Sequence, residues 1–265
     1  MIFKKLNNLD EQDFAVLRGP FESGRQSPKS LGGTLVLSIF FQVLLFFLIY
    51  VVISSHTIYP YKEVLFYLHL GITVILVILS VIYAIPSVYM KNQKVQYFIV
   101  ILVSQNLTGF FLIGSLFLIG SDLVIIQTDY SLLNITLLII TFGILIFLAT
   151  FIRFYILLRK GAYRIGSQKE KTRGRFETKS YLPAVIIGST GMVLIIRYIV
   201  NTFHLVDIEA LGMTVISILI FYTMLFVLPE QLVIQYCKSR FDSFNFDKEG
   251  NLYPWNSGDN IRDGT

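Results

Sequence analysis

One stretch of the chain, Arg153–Lys179, holds nine basic residues: Arg153, Arg159, Lys160, Arg164, Lys169, Lys171, Arg173, Arg175 and Lys179. Only Glu170 and Glu177 oppose them, and long apolar runs lie on either side. Short Lys/Arg-rich loops between membrane spans resist translocation, so this loop marks the cytoplasmic side and sets the side of every other segment. Only 15% of the residues are charged, 54% are hydrophobic, and the mean hydropathy is +0.67. Soluble domains carry about 25% charged residues. An integral membrane protein is therefore expected, with tails and loops too short to bury a separate core.

Six apolar segments can each cross ~30 Å of hydrocarbon as a helix. They lie at about residues 33–54, 64–85, 97–119, 131–158, 181–200 and 210–236. The expected fold is an all-α bundle of six transmembrane helices with both termini cytoplasmic. Residues 1–32 form the N-terminal tail, 159–180 the basic loop and 237–265 the C-terminal tail. Pro86 ends the second span, Pro229 interrupts the sixth, and the fourth is long enough to require tilt or a cytoplasmic extension. Gly161, Gly166 and Gly174 argue against helix through the basic loop. The charges agree with this orientation. Of 22 Lys and Arg, only Lys62 falls in an outer loop; Arg197 lies within the fifth span and Arg153 near the inner end of the fourth, whereas Glu63, Asp122, Asp129, Asp207 and Glu209 lie outside.

The tails carry weaker signals. Leu9–Leu17 reads as a short surface helix stopped by Arg18-Gly19-Pro20, within a tail that is first of all solvated and, in the alternative, a specific docking segment. Phe244–Phe246 and Asn251–Tyr253 flank a turn at Asp247–Gly250, which predicts a small hairpin. No residue-level repeat relates the first three spans to the last three.

The function classes narrow by elimination. Cys237 is the single cysteine, so no intrachain disulfide or zinc knuckle can form. His56, His69 and His204 have no ligand spacing, so no metal is expected. The glycines of the basic loop match no phosphate-binding pattern, and no hydrolase or metalloprotease motif is present. Neither a cofactor nor enzymatic activity is expected. The net charge of +5 follows from the inside-positive bias rather than from nucleic-acid binding. Abundant Ile, Phe, Lys and Asn suit an AT-rich bacterial genome, so a multi-pass protein of a bacterial plasma membrane is expected.

Three groups of residues are functional candidates. Arg197 lies ~24 Å into the fifth span, where an ionised group needs a partner or water. Asp122, Asp129, Asp207 and Glu209 are the carboxylates on that side, and the reading is that Arg197 pairs with one of them. His69, with Thr73 one turn on, would join Arg197 and His204 in an outer polar cluster if the second and fifth spans are neighbours. Glu230, beside Pro229, is placed to pair with Arg153 or Arg159 as an inner ion pair. Gln42, Gln105 and Asn106 read as helix-contact residues that hydrogen-bond between spans. Ser104, Thr108 and Ser115, and separately Ala184, Gly188 and Gly191, form small-residue faces for close helix contact. The basic loop suits anionic lipid headgroups.

Two functions compete. One is a non-catalytic membrane protein acting through protein contacts, of the immunity, exclusion or complex-assembly type. The other is a small permease working as a homo-oligomer, or with a cytoplasmic energy-coupling protein.

Overall fold

Ser27 and Pro28 start the first long helix. The Ser27 hydroxyl accepts from the Ser30 N–H at 3.3 Å, and Pro28 occupies the first turn, where its missing N–H costs nothing. The structure, a computed structural model, describes residues 9–121, 129–169, 171 and 206–255. Within these, five helices are long and apolar enough to cross a membrane. Helix α1 is Pro28–Phe47, prolonged by a π-helical Leu48–Ile53 and a 3-10 turn Ser54–His56; α2 is Lys62–Ala84, α3 Gln93–Ile119, α4 Asp129–Arg159 and α5 Val206–Arg240. No strand occurs among the described residues, and the architecture is that of a helical membrane protein. The expected fifth span, 181–200, lies outside the described residues.

Helix α3 is the centre of the bundle. Half of its most apolar stretch is buried, against 22% or less for each of the others, and it packs against α1, α2, α4 and α5. The outer helices turn Phe40, Val43, Ile75, Ile78, Leu137 and Leu138 outward, each more than half exposed. That is the apolar surface a bilayer would cover. Gly143 lets α4 and α5 approach closely, since a Cβ there would stand 2.9 Å from Leu225 and 3.1 Å from Phe221.

Several expectations change in detail. Helix α1 begins at Pro28, a turn before the expected start. The extended Ile85 before Pro86 ends α2, as residues before proline do. Pro229 sits inside a continuous α5, so the expected interruption is absent. Helix α4 ends at Arg159, and Gly161 and Gly166 follow with φ of 68° and 83°. Gly174 lies outside the described residues.

The largest correction concerns the N-terminal segment. It is not solvated: Phe14 and Leu17 are fully buried and Phe21 is 1% exposed. Helix does not stop at Pro20 either. A 3-10 helix, Glu11–Arg18, passes into a short α-turn, Gly19–Glu22, with Pro20 in its first turn. This segment packs with Tyr97, Phe154, Leu158, Val233, Ile234, Cys237, Phe244 and Phe246 in one apolar cluster.

The C-terminal hairpin forms as expected. Phe246 and Leu252 pair antiparallel, the Asp247 N–H donates to the Asn251 carbonyl at 2.8 Å, and Gly250 takes φ of 88° at the turn. The two terminal segments therefore meet at one end of the bundle, forming a cap. Arg18 donates to the Tyr253 carbonyl at 2.7 Å and stacks on Trp255 at 4.5 Å, and Ser243 bonds Glu11. A second apolar cluster, with Tyr50, Tyr59, Phe117, Ile119, Leu132 and Phe221, marks the far end. The C-terminal part of α4 lies at the cap end, as does that of α5, while Phe221 in the first half of α5 lies at the far end.

Candidate functional site

Inside a helix the backbone N–H and C=O groups bond each other, so a polar side chain in the apolar layer bonds another side chain or shares a carbonyl the helix already uses. Five side chains from three helices do this. The Tyr50 hydroxyl lies 3.0 Å from His69 Nδ1, and His69 Nε2 lies 3.1 Å from Asn106 Oδ1. Asn106 Nδ2 donates to Gln42 Oε1 at 3.1 Å and to Thr73 Oγ1 at 3.2 Å. Gln42 is fully buried, and His69, Thr73, Asn106 and Tyr50 nearly so. The His69 ring also lies against Phe110, with centroids 4.1 Å apart.

The donors and acceptors settle one another. With Asn106 Nδ2 spent on two acceptors, its Oδ1 receives the His69 Nε2–H, and His69 Nδ1 accepts from Tyr50. A proton on Nδ1 would reverse that last bond, and the Tyr50 hydroxyl would then turn to the Leu65 carbonyl 3.3 Å away. Both nitrogens of the imidazole are thus bonded within the network.

The network draws on two of the expected groups. Of the expected outer polar cluster it holds His69, which meets Asn106 and Tyr50, and of the expected helix-contact residues Gln42 and Asn106, which bond each other. Arg197, His204 and Asp122 lie outside the described residues. Asp129, Asp207 and Glu209 fall in the first turns of α4 and α5, where the helix dipole favours acids. Tyr50 escaped the sequence reading because it sits in an apolar run. The π-helical turn that carries it has no signature in residue type, although such turns recur at functional positions.

Not every polar residue of α3 bridges helices. Ser104, Thr108 and Ser115 return their hydroxyls to carbonyls of their own helix, at Ile101, Ser104 and Leu112. Gln96, which sequence reasoning passed over, links three elements. It is fully buried, and its Nε2 donates to the Pro28 carbonyl at 2.9 Å and the Tyr83 carbonyl at 3.1 Å.

Beside the network, a cleft of about 510 Å³ opens sideways between α2 and α3. Leu65, Leu68, Ile72, Leu79 and Leu102 form its walls; His69, Gln105, Asn106 and Gly109 form its floor. Gln105 Nε2 is buried with no acceptor among the described residues, as is Gln42 Nε2 behind it. A second cavity, about 360 Å³, lies toward the cap. Arg153, Lys169, Glu230, Pro229 and Tyr163 line it, so Glu230 and Arg153 share one space. Arg159, the other expected partner of Glu230, is not among its lining residues.

At the cap, charge meets backbone. Lys238 is 1% exposed; its Nζ donates to the Phe244 carbonyl at 2.9 Å and faces the Phe21 ring at 4.8 Å. Gln93 pairs with both backbone groups of Phe246, at 2.7 and 2.8 Å, as a neighbouring strand would. The first part of the basic loop is folded onto the N-terminal segment. Arg164 Nε donates to Asp13 at 2.5 Å, and the Tyr163 carbonyl accepts from the Val16 N–H at 2.9 Å. Burial pulls the Arg18 guanidinium below its ordinary pKa, against the opposing pull of Glu22 and Glu11.

No family model, curated protein or solved structure matches this chain.

Proposed function

We propose that this is a non-catalytic multi-pass membrane protein that acts through protein contacts, with a folded cytoplasmic cap as its contact surface. The observation that carries the reading is the joining of both terminal segments and the start of the basic loop into one built surface at one end of the bundle. Tails that served only to bracket the spans would need no such packing. Six spans are the count in this reading. The end of α4 at the cap and the first half of α5 at the far end support that count. The inside-positive bias puts the cap in the cytoplasm, and the outer face of the basic loop toward anionic headgroups. Immunity, exclusion and complex-assembly roles all fit this form.

A permease is the second reading, and the cavity lined by Arg153, Lys169 and Glu230 beside Pro229 favours it. Affinity isolation from native membranes in mild detergent, with partners identified by mass spectrometry, separates the two. Stoichiometric recovery of a membrane or cytoplasmic protein that is lost when Phe21→Ala undocks the cap supports the contact reading. Recovery of a nucleotide-hydrolysing subunit, insensitive to the cap, supports the permease.

A further inference from the structure

One buried amine is enclosed by three separate parts of the chain. Lys238 stands just past the sixth apolar run, near the end of α5, and is 1% exposed. Its Nζ donates to the Phe244 carbonyl at 2.9 Å. Three rings surround the same nitrogen: Phe21 at 4.8 Å, and Tyr97 and Phe246 at 5.9 Å. These partners belong to the N-terminal segment, α3 and the C-terminal segment. Lys238 is therefore enclosed only while both terminal segments are docked.

The enclosure lacks a negative charge. No carboxylate pairs with Lys238 among the described residues. On the N-terminal segment, Glu11 bonds Ser243, Asp13 bonds Arg164, and Glu22 lies 3.5 Å from Arg18. On the C-terminal segment, Asp242 is exposed and Asp247 is held within its own turn. From α3, Tyr97 presents its ring and Lys94 adds a charge of the same sign; Cys237 and Arg240 are the ionisable neighbours on α5 itself. An ammonium has three N–H donors. One carbonyl and three ring faces replace only part of the water it gives up on burial. A neutral amine needs less, since one N–H suffices for the Phe244 carbonyl. Burial first, and then Lys94, pulls the amine of the docked cap down to about 7.

A free lysine titrates near about 10.4. Between these two values the open cap binds more protons than the docked one. Docking therefore strengthens as pH rises through that window and weakens as pH falls toward its lower end. Below it both forms hold the proton, and docking changes little.

We infer that Lys238 makes the cap a proton-operated latch: docking of the two terminal segments drives a proton from this amine into solvent, and a falling cytoplasmic pH loosens the cap. The latch rests on the packing of the cap; its use as a control on partner binding rests on the contact reading above.

The test uses the full chain in detergent micelles and follows hydrogen exchange of residues 241–255 by mass spectrometry. There the Tyr253 N–H bonds the Asn245 carbonyl at 3.0 Å and the Phe246 N–H bonds Gln93 at 2.8 Å. Lys238→Met keeps an apolar stem and removes the titrating group. Dividing the exchange rate of the unaltered protein by that of the variant at each pH cancels the intrinsic pH dependence of exchange and the groups both proteins share. That ratio should rise at least about tenfold as pH falls from about 8.5 to about 7. Residues 11–22 should show the same rise, and the middle of α3 none. If Trp255 emission shows Lys238→Met undocked, Lys238→Gln, which is neutral and keeps an N–H for Phe244, replaces it. A constant ratio overturns the inference, by showing that the rings hold the ammonium; a rise confined to one terminal segment overturns it too. A pH-responsive cap from which no partner is recovered would uphold the latch and remove the contact reading.

Discussion

The cap and the middle of the bundle satisfy buried polar groups in opposite ways. At the cap, Lys238, Arg18 and Gln93 each reach a backbone group of the C-terminal segment, at Phe244, Tyr253 and Phe246. Irregular chain leaves such groups free. In the middle, the helices have consumed their own backbone, and Tyr50, His69, Asn106, Gln42 and Thr73 bond chiefly each other. Cap side chains are therefore replaceable if the irregular chain stays in place. Those of the network depend on one another, because removing one leaves its neighbours without partners in an apolar layer.

The contrast can be broken most strongly at the cap core. Phe21 is 1% exposed and touches Tyr97, Phe244 and Phe246. Phe21→Ala should cost about 3–5 kcal/mol of cap stability, releasing both terminal segments together. Limited proteolysis should then cut both tails at once, and Trp255, the only tryptophan, should shift its emission to the red. Cutting of one tail alone would separate the two segments.

Asn106→Leu comes next. It removes the residue that joins α1, α2 and α3, stranding His69 Nε2 and Gln42 Oε1. Intramembrane hydrogen bonds are worth about 0.6 kcal/mol each and at most about 1.7, so a loss of about 2 kcal/mol is expected in detergent unfolding. Tyr50→Phe removes a single bond and should cost about 0.6 kcal/mol. Equal costs for the two would mean that the network is not coupled. Gly143→Leu tests packing without polarity. Crowding Leu225 and Phe221 should cost about 1–3 kcal/mol and leave the cap intact by Trp255 emission.

The smallest effect concerns pH. Hydrogen bonds from Asn251 first, then Glu249 and Gly250, hold the Asp247 carboxyl below its ordinary range. The folded value is the lower one, so the contribution to the turn is full above the ordinary aspartate range and is lost as pH falls through the lowered value. Amide exchange at Asn251 should quicken below that range while exchange within α3 does not.

The spans were legible because about twenty apolar residues in a row have few other uses. Their ends were less so. Pro28 and Gln96 lie just beyond the apolar runs, yet Gln96 ties α1 and α2 to α3 from there. Phe14 and Leu17 stand out in the sequence among acids, but Phe21 lies past the expected stop at Pro20, and the surface burying all three includes Phe244 and Phe246, more than two hundred residues later. The site was half legible. Amides and a histidine within spans advertise themselves by cost, whereas their pairing depends on which helices are neighbours, and Tyr50 depends on a π-helical turn that residue types do not announce.

We propose that both terminal segments belong to one cytoplasmic cap, opposite the α1–α2 connection. Single cysteines at the exposed positions Ser23, Glu249 and Tyr61, introduced beside the fully buried Cys237, test it with a membrane-impermeant maleimide. Tyr61→Cys should react in intact cells, and Ser23→Cys and Glu249→Cys only after permeabilisation. Labelling of Ser23→Cys or Glu249→Cys in intact cells, or opposite behaviour of those two, would contradict the account.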